Sequence, residues 1–413
     1  MKPASQPVID WSKFALRRFH VIAAAIVLLT TSLAVSGGQF LSVRDNLFPT
    51  GVPLGGDYVA FHTAARAATS GDAAAAYDAA RFAELLNEHG PPRERYGLTW
   101  QYPPTYYFLV LPLALLGFAA GYVVWSGLGL AGFLAALRGF GLPPIFLFVI
   151  LAAPSTTHAF ITGQNGFITA TLIAAAALYA DKRPILAGLA AAALTVKPQL
   201  GVLLPVAFAA SGSWRAFAIA AAGALALAGA SVLAFGTSAW LAFFDGASGA
   251  GDSLAAGLMP LFKMTTPFAA LRFAGAPAEL AATFQIALTI AAAGAVALVW
   301  RRVKDAELRA AALIACVFFA APYGFYYELI ILALPTALLV KRAMRSGFLP
   351  FEQIAVAIVY AAPLYLPGDR VREGASLGFA IVLLAALCVF RRIEHEAPET
   401  FRFSSARIEA QSG

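Results

Sequence analysis

Twelve apolar runs, each near the length of a membrane span, leave few folds open to this chain. They fall at 19–36, 121–138, 143–161, 166–180, 184–197, 199–211, 215–235, 281–299, 307–322, 327–340, 351–366 and 375–390. A helix that crosses the hydrocarbon core needs about 20 apolar residues, fewer where polar cavities enter the bilayer. Lipid cannot hydrogen-bond backbone N–H and C=O groups, so each segment must satisfy its own, as a helix does. Composition agrees: 60% of the 413 residues are hydrophobic and 12% charged, against about 25% charged in a soluble domain. Several runs are rich in Ala and Gly, which suits close helix packing in lipid. The expected fold class is an all-α polytopic membrane protein, a bundle of about 12 transmembrane helices.

Charge placement predicts the sides. The net charge of +7 comes from short basic clusters between apolar runs, and no nucleic-acid-binding motif accompanies them; nucleic acid is not an expected partner. The clusters are Lys13/Arg17/Arg18, Arg138, Lys182/Arg183, Arg215, Arg301/Arg302/Lys304, Lys341/Arg342/Arg345 and Arg391/Arg392. If all face the cytoplasm, both termini are inside and the opposite connections face out. These are the 37–103 loop, Gly163–Gly166, Lys197–Gln199, the 236–264 loop, Pro322–Glu328 and Pro367–Gly374. The implied organisation is a cytoplasmic N-terminus at 1–18, a membrane bundle at 19–390 and a cytoplasmic tail at 391–413. The run from Val21 to Val35 reads as a retained first helix rather than a cleaved signal peptide, because hydrophobicity continues downstream. Residues 104–118 break the alternation if counted as a full span, and read as a short re-entrant or interfacial helix, or as half of a broken span with 121–138. Cys316 and Cys388 lie in apolar runs without metal-type neighbours, so neither a disulfide nor a zinc site is expected.

Ionisable and amide side chains at membrane depth are the candidates for chemistry, because lipid penalises them. The 37–103 loop is longer than a connector needs to be. In it, Tyr58, Phe61, Ala65 and Ala68 recur at helical spacing, predicting an amphipathic helix on the membrane surface. A second helix is expected over 75–87, ended by Gly90-Pro91-Pro92. Asp57 precedes the first helix. It reads either as an N-cap or as a general base at the water–lipid boundary, its pKa raised by partial desolvation. His62 and Arg66 follow at i, i+4 as surface or substrate contacts. Gln164 and Asn165 sit in Gly163-Gln164-Asn165-Gly166, which is a tight turn or a source of amides for sugar hydroxyls. Lys197, beside helix-breaking Pro198 and followed by Gln199, is a snorkelling cation or a holder of phosphate. Tyr327 and Glu328 end a span; an interfacial aromatic belt explains the tyrosine but not the acid.

At these residues the chain resembles glycosyltransferase family 87. The matching pieces are Gly56-Asp57-Tyr58, the Ala-rich stretch ending near Tyr77-Asp78, Tyr102-Pro103-Pro104 and Gly163-Gln164-Asn165. They continue with Ala187-Gly188-Leu189, Lys197-Pro198-Gln199, Pro322-Tyr323 and Tyr326-Tyr327-Glu328. The resemblance implies a GT-C-like bundle and a polyprenyl-phosphate sugar donor, with Asp57 as the catalytic aspartate of the first outer loop and Lys197 near the donor phosphate. The family often has an aspartate after the late tyrosine; here a carboxylate is kept as Glu328.

The expected reaction is inverting transfer of a sugar to a glycolipid or envelope-glycan hydroxyl on the non-cytoplasmic face. Asp57 would be the base, and Lys197, assisted by Arg66 or Lys263, would neutralise the leaving phosphate. His62, Tyr102, Gln164, Asn165, Gln199, Tyr327 and Glu328 would contact sugar or acceptor. No clustered acidic motif suits a metal, so neither metal nor cofactor is expected. A lipid-linked donor needs no nucleotide-binding domain, and none is legible. A secondary transporter or lipid flippase is the rival reading, since Pro-broken helices with isolated charges suit it too. Against it, the halves show no internal repeat and the outer loop is large. A non-catalytic scaffold would leave Lys197 unexplained.

Overall fold

A computed structural model describes residues 18–91, 97–364 and 377–401. Lys13, Arg17, the 367–374 connection and the end of the tail lie outside the described residues. The described chain is helical, with isolated bridges at Arg44–Leu47, Leu47–Pro53 and Met264–Phe325. Among these residues, three helices are long and apolar enough to cross a membrane: Phe118–Gly139, Trp214–Ala255 and Ala278–Arg302. Pro144–Leu151 and Pro154–Ile161 make a fourth if counted as one span bent by 58°. Pro154 accounts for the bend, because it removes a backbone donor and its ring collides with the preceding turn.

The other apolar helices are short. Gly166–Tyr179, Pro184–Val196 and Pro198–Ser211 have 10–17 residues each. The second and third of these meet at Lys197 and pack with Ala306–Ala320 and Ala333–Ser346 around one large aliphatic core. Pro104–Leu115, about 18 Å long at 1.5 Å per residue, is too short to cross a core of about 30 Å. It is broken at Pro112 and packs beneath the loop helix Tyr58–Thr69.

The structure corrects three details of the sequence reading. Tyr58–Thr69 is not a surface-lying amphipathic helix: Tyr58 to Ala65 and Ala67 are all buried. It packs against the turn Ala73–Tyr77 and the helix Ala79–His89, so its Ala residues are packing surfaces. The second loop helix begins at Ala79 rather than 75, because Asp78 caps it by accepting from the Arg81 N–H at 2.7 Å. The 236–264 segment is not an open loop. Gly236 (φ 80°, ψ 162°) breaks the long helix begun at Trp214, which resumes and runs to Ala255, laying Phe243 against Tyr77.

Among the described residues, Lys341, Arg342, Arg392 and Arg309 gather at one end of the bundle, where they are paired. Lys341 Nζ donates to Phe140 O at 2.7 Å and to Glu307 at 2.6 Å. Arg342 reaches Asp305 and Glu396, and the buried Arg392 pairs with Glu352. Arg309 pairs with Asp181. Asp57, Gln164, Lys197 and Glu328 gather at the other end, where the loop helices dock.

That docking depends on contacts at Gly163. Its φ is +58°, and a Cβ there would lie 2.6 Å from Gly55 O and 2.7 Å from Tyr58 Cβ. The contact seats the Gly55–Tyr58 turn on Thr162, whose carbonyl accepts from the Asp57 N–H at 3.1 Å. Trp125 Nε1 donates to Gly163 O at 2.9 Å and fixes the other side. Gly163→Ala should therefore cost about 2–4 kcal/mol, combining left-handed strain with overpacking. Gly212→Ala, also at positive φ (74°) but with open space around it, should cost only about 1–2 kcal/mol. Denaturation of both variants in detergent checks the difference.

Candidate functional site

Three short connections and the first loop converge here. Asp57 occupies the position before Tyr58–Thr69 in helical geometry (φ −73°, ψ −12°), and its side chain makes no cap hydrogen bond. The carboxylate is instead engaged across the site: Gln164 Nε2 donates to Asp57 Oδ2 at 2.6 Å. The N-cap reading thus gives way, and the carboxylate is aimed at the bundle.

Asn165 bridges the next two groups. Its Nδ2 donates to Tyr106 Oη at 2.8 Å and its Oδ1 accepts from Lys197 Nζ at 2.8 Å. Lys197 also forms an ion pair with Glu328 Oε1. Glu328 Oε2 accepts from the Phe325 N–H at 3.0 Å, which closes the turn before Tyr326–Leu332. Lys197 is 5% exposed and Glu328 1%, so the amine does not snorkel to water. The aromatic faces of Tyr327 and Tyr102 lie 5.5 and 5.9 Å from Lys197 Nζ. A cation is favoured over such faces. Lys197 can sit there because Pro198 starts a new helix beside it.

Gly166 is small for a reason that a turn does not supply. A Cβ on it would lie 2.9 Å from Ile330 Cγ2 and 3.1 Å from Tyr327 O. The helix that begins at Gly166 therefore approaches the Tyr326–Leu332 turn closely enough to place Asn165 within reach of both Lys197 and Tyr106.

Charge around Asp57 is asymmetric. Removal from water raises its pKa above the ordinary carboxylate value, and this outweighs the Gln164 hydrogen bond and the positive charges of Lys263 and Lys197. Lys263 acts on Asp57 as a positive charge; next to it, Met264 and Thr265 pair with the 324–325 backbone, and the Thr265 N–H donates to Gly324 O at 2.9 Å. Gln285 braces the helix that follows, accepting from Phe268 N–H at 3.1 Å and donating to Phe319 O at 2.7 Å.

The structure thus brings together Asp57, Gln164, Asn165, Lys197, Tyr102, Tyr327 and Glu328, with Lys263 felt by Asp57 as a positive charge. Three expected residues lie apart from them. His62 is 2% exposed, packed on Phe118 with Nε2 at 3.3 Å from Leu116 O, and burial holds its pKa below the usual imidazole value. Arg66 is exposed, roughly 13 Å along the helix from Asp57, near His62 and His89. Gln199 is half-buried and has no hydrogen bond to the cluster. Tyr106 was not singled out in the sequence; its ring packs 4.1 Å from that of Tyr102, which precedes the helix, and only the structure brings the two together. Among the described residues, no three His, Cys, Asp or Glu side chains stand close enough to hold a metal ion.

Breaking a buried ion pair from one side strands a charge, at about 3–5 kcal/mol. Lys197→Met and Glu328→Gln should each lose that much stability. The double substitution should lose clearly less than the sum, by about 1–3 kcal/mol. A double-mutant cycle by denaturation in detergent reads the coupling.

The model of glycosyltransferase family 87 matches residues 100–322. Searches of curated proteins and of solved structures give no match. The matched region covers more than half of the chain and holds Gln164, Asn165 and Lys197 between its limits; Asp57 precedes it and Glu328 follows it closely. With its apolar helices and this match, the chain belongs to glycosyltransferase family 87, a family of membrane glycosyltransferases.

Proposed function

We propose that the protein transfers a sugar, mannose or another hexose or pentose, from a polyprenyl-phosphate donor to a hydroxyl of a lipid- or envelope-linked glycan. The observation that carries this reading is the Asp57 carboxylate. It is desolvated enough for its pKa to rise, one oxygen is held by Gln164, and it is only partly covered by protein. A carboxylate so placed is suited to taking a proton from an acceptor hydroxyl. The hydroxyl oxygen then attacks the anomeric carbon from the face opposite the phosphate, so the product is inverted. Holding both reactants in line supplies much of the rate.

The leaving phosphate needs positive charge near it. Lys263 favours the ionised form of Asp57 and has no ion-pair partner among the described residues. It is the cation we assign to direct phosphate contact. Lys197 is already committed to Glu328 and Asn165 and acts from behind them. The step needs no metal in this scheme. An apolar crevice lined by Gly201, Leu204, Pro205, Phe208 and Ala220 lies along the helix that follows Lys197 and is where this reading would seat the donor's hydrocarbon tail.

Sidedness follows from the two ends. The paired basic clusters at one end mark it as cytoplasmic by the positive-inside rule; the cluster around Asp57 then faces out. Gly166–Tyr179 and Ala333–Ser346, at 14 residues each, span about 21 Å of a core of about 30 Å. A site at their outer ends would be recessed below the membrane surface, where lipid-borne phosphate can reach it. Both termini are cytoplasmic in this arrangement, and the full bundle has about 12 spans once the short helices are counted.

Purified protein with polyprenyl-phosphate mannose, glucose or arabinose and a panel of glycolipid acceptors tests the assignment. Asp57→Asn should fold, bind donor and lose transfer by about 100-fold or more; undiminished transfer would remove Asp57 from the role of base. The base must be ionised, so kcat/KM should fall as pH drops through the raised Asp57 pKa, above the ordinary carboxylate range. Lys263→Gln should lower kcat/KM by about 10-fold or more and leave stability near wild type.

A further inference from the structure

Gln164 has one atom that the site does not use. Its Nε2 donates to Asp57 Oδ2 at 2.6 Å. An ionised carboxylate only accepts hydrogen bonds, so this contact fixes which end of the amide faces Asp57. The Oε1 atom is turned the other way. It is buried, in a side chain 7% exposed, and receives no hydrogen bond from the protein. Buried acceptors are rarely left without a donor, and those that are call for an explanation. Asp57 Oδ1 likewise receives no hydrogen bond among the described residues. Two acceptor atoms on hydrogen-bonded partners therefore lack a donor side by side at the centre of the site.

We propose that Gln164 is a positioning and specificity residue that makes the site select an acceptor carrying two neighbouring hydroxyls. Its Nε2 holds Oδ2, which turns Oδ1 of Asp57 towards the hydroxyl that reacts. Its Oε1 accepts a hydrogen bond from the adjacent hydroxyl of the same sugar. This rests on the reading of Asp57 as the base. The reacting hydroxyl gives its proton to Oδ1, and its oxygen forms the new bond to the anomeric carbon. The bond from that carbon to the phosphate oxygen breaks, and its electron pair leaves on the polyprenyl phosphate. The neighbouring hydroxyl only donates its hydrogen bond and is unchanged.

The chemistry makes this selective. A site built to accept a hydroxyl rejects the analogue that lacks it, because its own buried acceptor is then left unpaired. An apolar pocket in the same place would not discriminate in that way.

The test uses full-length protein in lipid vesicles, polyprenyl-phosphate mannose as donor, and octyl mannoside and octyl glucoside as acceptors. Each acceptor is compared with analogues lacking one hydroxyl at a time. In the wild type, removing the hydroxyl beside the one that reacts should lower kcat/KM by about 100-fold or more. Gln164→Leu should shrink that ratio below about 10-fold, whereas a merely structural role would lower transfer to every acceptor alike. Infrared titration of the Asp57 carboxyl, assigned against Asp57→Asn, supplies a readout that needs no turnover. The groups facing Asp57 from other elements are Lys263, Lys197, Tyr102, Tyr326, Tyr327 and Glu328, and all stay in place in these variants. Losing the Gln164 donor should move the titration midpoint to higher pH in Gln164→Leu, and further in the nearly isosteric Gln164→Glu, where two acids share one proton. An unmoved midpoint in both, or equal discrimination by wild type and Gln164→Leu, would overturn the proposal. Failure of Asp57 as base shows separately, as full transfer by Asp57→Asn.

Discussion

A lysine amine buried at a helix break governs the architecture of this end of the molecule. Leaving Lys197 charged and out of water is tolerable only if neighbouring groups replace its hydration. Glu328, Asn165 Oδ1 and the rings of Tyr102 and Tyr327 do so. Those partners come from three segments besides the lysine's own, so the lysine ties the end of the loop at Tyr102 to the junctions at Asn165 and at Tyr327–Glu328. Asn165 passes the constraint to its neighbour Gln164, and Gln164 passes it to Asp57. The acid on the loop is thus positioned by a charge deep in the bundle.

Close backbone approach supplies the rest. Gly163 and Gly166 flank the two amides, one against the Gly55–Tyr58 turn and the other against Tyr327 and Ile330. Larger residues at either position would push apart the surfaces whose contact sets the Asp57–Gln164 bond. The Gly-Gln-Asn-Gly sequence is therefore a packing device on both sides of a pair of functional amides. Packing and chemistry share four residues.

Much of this was legible in the sequence because lipid makes polar residues conspicuous. Asp57, Gln164, Lys197 and Glu328 stood out as groups that an apolar run does not explain, and the family resemblance at the same residues agrees with the match over 100–322. Charge placement sorted the connections into two sets, and among the described residues the structure puts Asp57, Gln164, Lys197 and Glu328 at one end and the paired residues Lys341, Arg342 and Arg392 at the other. Other features depended on tertiary contacts that spacing does not carry. His62 and Arg66 share a helix face with i, i+4 spacing, yet that helix is buried, and packing takes the first while solvent takes the second. Tyr106 hid within an apolar segment whose span status was ambiguous. The number of spans resisted reading because several helices are shorter than the hydrocarbon core, and length is the property on which such counts rely.

The account stands on the chemistry lying at the outer end, opposite the paired basic clusters. Sidedness can be measured with single cysteines in a chain whose native Cys316 and Cys388 are replaced by Ala. Thr50→Cys lies in the first loop near Asp57, and Lys182→Cys lies at the basic end; both positions are exposed. In right-side-out membrane vesicles, a membrane-impermeant maleimide should label Thr50→Cys at once and Lys182→Cys only after permeabilisation. Labelling of Lys182→Cys in sealed vesicles, with Thr50→Cys protected, would place Asp57 and its partners in the cytoplasm and contradict the account.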